Sequence, residues 1–114
     1  MGRRADGPAC LLVCAGKDCR GDKGFAALID LAEDLPRSYA LPCQGLCDGP
    51  IAGVRVEGRT YWFEQVRTGK VRDHLVRLVR TGERSGRLRS LEVRKRRDVV
   101  KSAGRATPLG KRSR

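Results

Sequence analysis

A chain of 114 residues, 39% apolar and 33% charged, suits one small domain with a modest core, and no apolar run approaches the length of a membrane helix. The formal net charge of +12 is unevenly placed: residues 1–82 hold 13 Lys or Arg and 10 Asp or Glu, whereas residues 83–114 hold 12 and 3. An aromatic content of 4% excludes a base-stacking platform for single strands, and no phosphate-loop, dinucleotide, triad or paired-carboxylate signature is present.

Residues 1–8 read as an N-terminal extension. Arg3 and Arg4 precede an apolar stretch of only Ala9 to Val13, too short for a secretory signal, so a cytoplasmic protein is expected. Ala9 to Cys14 is short and apolar and reads as a buried strand. Ala15 to Asp22 reads as a loop by its Gly and Asp content. Phe25, Leu28, Ile29 and Ala32 then fall on one helical face, predicting a helix over about Gly24 to Asp34 that Pro36 ends. Ser38 to Leu41 is a short strand, and Pro42 to Pro50 is a loop. Ile51–Val56 and Arg59–Phe63 flank Glu57-Gly58 as a hairpin. Val71, His74, Leu75, Leu78 and Val79 form a second helical stripe, with Asp73 and Arg77 as an i,i+4 pair outside and Gly82 as the C-cap.

The order strand, helix, strand, strand, strand, helix predicts an α/β fold. Strand–helix–strand implies parallel pairing with a right-handed crossover, and the hairpin adds antiparallel strands. The expected layout is thioredoxin-like: a small mixed sheet with both helices packed on it, over residues 9–82. The tail, residues 83–114, has weak apolar periodicity (Leu88, Leu91) and many charges, and is expected to be largely disordered.

Five cysteines in a cytosolic chain point to metal ligands or reactive thiols rather than structural disulfides, and the odd number argues against a fully paired framework. Cys14 and Cys19 have C-x4-C spacing and Cys43 and Cys47 have C-x3-C. Adjacent parallel strands bring their C-terminal ends to one sheet edge, so the four thiols should converge. Four thiolates suit Zn²⁺ or an iron–sulfur cluster. The cluster is favoured because no C-x2-C knuckle exists, because the loops can wrap a wider object, and because Gly16, Gly21, Gly45 and Gly49 let backbone amides approach sulfur. Lys17 and Arg20 bracket the first pair and would favour the reduced, more negative form. Cys10, within the first strand, is assigned to the core, and a Cys10–Cys14 pair is the competing ligand set. The absence of C-x-x-C disfavours thioredoxin-type exchange.

Val13-Cys-Ala-Gly-Lys-Asp-Cys-Arg-Gly21 and Pro42-Cys-Gln-Gly-Leu-Cys-Asp-Gly-Pro50 resemble the two ligand loops of the thioredoxin-like [2Fe–2S] ferredoxins, a family that includes the peripheral ferredoxin-type subunit of NADH dehydrogenases and hydrogenases. The resemblance covers residues 9–82. It implies a [2Fe–2S] cluster on Cys14, Cys19, Cys43 and Cys47, electron exchange with redox partner proteins and, often, a homodimer. On this reading the chain is an electron carrier without substrate chemistry of its own. The alternative is a zinc-stapled nucleic-acid-binding module that uses the basic tail. Arg94-Lys-Arg-Arg97 and Lys111-Arg-Ser-Arg114 could contact phosphates or an acidic redox partner, or merely solvate the chain. His74 is expected at the core edge, and Tyr61, Trp62 and Phe63 are expected to alternate between the faces of their strand.

Overall fold

The computed structural model describes residues 9–46, 49–93, 100 and 103–110. Strand β1 (Cys10–Cys14) is followed by a single helical turn α1 (Lys17–Arg20), helix α2 (Phe25–Glu33) and strand β2 (Ser38–Leu41). The hairpin β3 (Ala52–Val56) and β4 (Arg59–Phe63) precedes helix α3 (Gly69–Thr81). Helix α4 (Gly86–Leu91), a 3-10 turn at Ala103–Arg105 and the two-residue strand β5 (Thr107–Pro108) complete the described elements.

The five strands form one mixed sheet in the order β4-β3-β1-β2-β5. Strand β1 runs parallel to β2, and the other pairs are antiparallel. The hairpin turn places Glu57 and Gly58 at φ of 50° and 83°, the doubly positive geometry that matches strand twist. Thr68 caps α3 by accepting from the Val71 amide, and Gly82 closes it in the left-handed conformation. Along the outer stripe of α3, Asp73 and Arg77 are both exposed and no ion pair joins them, unlike the i,i+4 pairing expected. None of the helices among the described residues is long and apolar enough to cross a membrane.

Strand alternation separates two apolar layers. Leu11, Val13, Ala52, Val54 and Phe63 face Leu28 and Ala32 of α2 and Val71, Leu75 and Leu78 of α3. Leu12, Cys14, Leu41, Ile51 and Trp62 form the other layer, together with Cys19. Trp62 and Phe63 are both fully buried, on opposite faces, as strand alternation requires.

The tail departs from expectation where it is described. Ser85 caps α4 through the Leu88 amide, and Leu88 is 0% exposed in the α2–α3 layer. Beyond α4 the chain runs along β4: Leu91 O accepts from Glu64 N–H at 3.0 Å, and Val93 N–H donates to Trp62 O at 2.7 Å. Glu92, its side chain 1% exposed, pairs with Arg84, whose guanidinium also lies 4.3 Å from the Tyr61 ring centroid. At the opposite sheet edge β5 pairs with Tyr39 and Ala40. A few apolar side chains dispersed among arginines suffice to order these parts, because tertiary packing overrides weak local propensity.

Candidate metal centre

Parallel pairing carries the ends of β1 and β2 to the same edge, with Cys14 opposite Leu41. The register is locked on both sides of Cys14: its N–H donates to Ile51 O at 3.0 Å, and the Ala15 N–H donates to Leu41 O at 2.7 Å. The chain then turns through α1, which the Gly-rich sequence had suggested would be plain loop. An Arg20 N–H bond to Gly16 O at 2.9 Å closes the turn and swings Cys19 back against the sheet. Cys14 and Cys19 are 2% and 3% exposed, and their thiols hydrogen-bond each other.

Cys43 lies two residues beyond β2 and is exposed. Its loop turns on Gly45 at φ 77°, a conformation that suits glycine, and the Gly45 N–H donates to Cys43 Sγ at 3.4 Å. Gln44 is buried, and its side-chain amide donates to Pro42 O at 2.8 Å, a bond that braces the loop from within. Cys43 packs on Gly16, where an added Cβ would stand 2.7 Å from Cys43 Cβ and 2.9 Å from its Cα. A Cβ on Gly49 would stand 2.9 Å from Cys19 Sγ. Two glycines therefore allow the close approach, Gly16 to the Cys43 backbone and Gly49 to the Cys19 sulfur.

Burial pushes the Cys19 thiol up to about 12. The hydrogen bond and the negative charge of Cys14 add to this, as does the charge of Cys43, while a backbone bond from Ile51 opposes it. Crowded thiols resist ionisation when no cation compensates them, and this is the environment that a bound cation reverses.

Of the four candidate ligands, the structure brings Cys14, Cys19 and Cys43 to one edge; Cys47 lies outside the described residues. Among the described residues no set of three His, Cys, Asp or Glu side chains forms a ready-made site for a metal ion. The donors nevertheless suit a thiophilic group: three sulfurs, an amide directed at each of two of them, and glycines where a side chain would intrude. Cys10 begins β1, four residues before Cys14. At about 3.3 Å per residue it lies roughly 13 Å from Cys14, too far for both to hold one centre. It is half-buried rather than deep in the core. His74 is half-buried on α3, at the core edge as expected.

The wall behind the cysteines includes residues that sequence reasoning missed. Trp62 belongs to the same layer as Cys14 and Cys19, with Val93, Val100 and Ala106 packed against it. Strand parity relates Trp62 to Cys14 only through the register Trp62–Gly53–Leu12. Compared with protein-family models, with curated proteins and with solved structures, the chain matches none of them.

Proposed function

We propose that the chain carries a [2Fe–2S] cluster on Cys14, Cys19, Cys43 and Cys47 and serves as a one-electron carrier. The observation that carries this reading is that the buried Cys14–Cys19 pair and Cys43, which packs on Gly16, lie at the one edge where two parallel strands end. The finer, thioredoxin-like description of the fold belongs to the same proposal. It is supported by β1 and β2 running parallel about α2, with the β3–β4 hairpin on the other side of β1.

When bound, such a cluster supplies reversible one-electron chemistry. The chain's own residues supply the rest. The Cys14, Cys19, Cys43 and Cys47 thiolates would hold the irons. The Gly45 amide and the Ile51 backbone donate toward Cys43 and Cys19, and amide bonds to sulfur disperse negative charge and tune potential. Leu12, Leu41, Ile51 and Trp62 keep water from the inner thiols. Exposed Cys43, with Lys17 and Arg20 exposed on α1, faces the side from which a redox partner would approach.

Anaerobic purification with metal and sulfide analysis tests the proposal. The expected result is a red-brown protein with about two irons and two acid-labile sulfides per chain. A colourless protein with about one zinc per chain would replace this reading with the zinc-stapled module.

A further inference from the structure

The segment that forms helices α3 and α4 is rich in positive charge. Residues 69–91 contain seven Lys or Arg and two Asp or Glu, a net +5. Val71, Leu75 and Leu78 are buried in the core. Lys70, Arg77 and Arg80 occupy the opposite stripe of α3 by helical periodicity and are exposed, as is Arg87 on α4. Among the described residues these four side chains make no ion pair and no hydrogen bond.

Their scaffold is fixed. Thr68 caps the start of α3, and the Gly82 N–H closes its end on Leu78 O at 2.8 Å. Arg84 is held between Glu92 and the Tyr61 ring, and Leu88 anchors α4 in the core. Lys70 and Arg80 are ten residues apart on one helix, about 15 Å along its axis at 1.5 Å per residue. Helices held in place spare the cost of ordering the backbone, so binding has only the side chains to order.

The stripe offers no apolar anchor. Val76 and Val79 flank it half-buried, and the nearby Tyr61 ring is covered by Arg84. Protein interfaces draw their energy from buried aromatic and aliphatic anchors, and single-strand binding needs exposed rings. A phosphate backbone requires only well-placed cations, and the arginine fork suits phosphate oxygens. We propose that the outer face of α3 and α4 binds the sugar–phosphate backbone of duplex nucleic acid through Lys70, Arg77, Arg80 and Arg87, without reading base sequence. The proposal does not rest on the cluster, and protein with or without bound metal should behave alike.

The test is gel retardation of a short DNA duplex by the full chain, across about 50 to 200 mM salt. The variant combines Arg77→Gln, Arg80→Gln and Arg87→Gln, each at an exposed position, so circular dichroism should be unchanged. Loss of three phosphate contacts should lower the slope of log K against log salt by about 3, at about 0.9 per contact. Asp73→Asn, which removes the carboxylate from the stripe, should tighten binding. If the triple variant misfolds, the three single variants should each lower the slope by about 1. The proposal is overturned if these variants bind as the parent does while neutralising Arg94, Lys95, Arg96 and Arg97 abolishes retardation. It is equally overturned if duplex is not retarded at low salt while polyglutamate binds, which would assign the face to an acidic protein.

Discussion

Gly16 and Cys43 are pressed together although 27 positions separate them in the chain: a methyl group on Gly16 would stand 2.7 Å from Cys43 Cβ and 2.9 Å from Cys43 Cα. Backbone cannot yield to that as a flexible side chain would. Gly16→Ala should therefore separate the α1 turn from the Cys43 loop and cost about 1–3 kcal/mol as overpacking. Iron content per chain and thermal melting both read this out. Gly86→Ala is the control, since nothing lies within 4 Å of its added Cβ; it should be neutral or stabilising by up to about 1 kcal/mol at a helical position. Equal iron loading in Gly16→Ala and the parent would remove Gly16 from the site.

Ligation is tested by single replacements. Serine at Cys14, Cys19, Cys43 or Cys47 should bleach or strongly shift the visible spectrum. Cys10→Ser should leave it nearly unchanged, because Cys10 begins β1 and Cys14 ends it. Bleaching by Cys10→Ser with colour retained in Cys19→Ser would refute the ligand set.

Asp22 ties the end of the α1 loop to the turn before α3. Its Oδ1 accepts from the Gly24 N–H at 3.0 Å, and its Oδ2 lies 3.1 Å from Arg67 Nε. The Gly24 amide foremost, then Arg67, hold the carboxyl below its ordinary value against partial desolvation. A carboxyl with a lowered folded-state pKa stabilises the fold above the unfolded-state value and loses that contribution as pH falls through the folded-state value. Melting temperature followed from about pH 6 to pH 3 should therefore fall less steeply for Asp22→Asn than for the parent. Parallel curves would show that Asp22 contributes nothing through its charge.

The elements that periodicity can mark were legible in the sequence. Helices α2 and α3, the hairpin about Glu57-Gly58, and strands β1 and β2 lie within a residue or two of where apolar spacing put them. That Cys14 and the loop bearing Cys43 leave the sheet at one edge also followed, since β1 and β2 run parallel. Helix α1 was not legible, because a Gly-bounded turn of four residues has no period of its own; burial of Cys19 and the Gly16–Arg20 bond define it. Nor were α4 and β5. Leu88 needs the α2–α3 layer to pack on, and β5 needs the edge of β2, where the Leu109 N–H reaches Ser38 O at 2.8 Å. Such partners are distant in sequence, and the arginines between them dilute any local signal.

The C-terminal segment supplies the last prediction. From composition alone, truncation after Gly82 would remove only a charged arm. Among its described residues that segment is attached by Leu88 in the α2–α3 layer, by Arg84 on the Tyr61 ring, by Glu92 and Val93 along β4, and by β5 along β2. Val93, Val100 and Ala106 also pack on the layer that holds Trp62, Cys14 and Cys19. Removing residues 83–114 would uncover Trp62 and strip the outer edge of β4 of the Val93 and Leu91 bonds. The truncated chain should melt well below the full chain, and its Trp62 fluorescence should shift toward that of a solvated indole. Leu88→Ala isolates one attachment without deleting charge, and should cost about 2–5 kcal/mol if the leucine is as enclosed as its 0% exposure indicates. The cysteines all precede Gly82, so colour should still form in the truncated protein, but a chelator should bleach it faster than the parent because one wall of the inner thiols is gone. Identical melting, fluorescence and bleaching rates with and without residues 83–114 would mean that the segment is the dispensable arm its composition suggests.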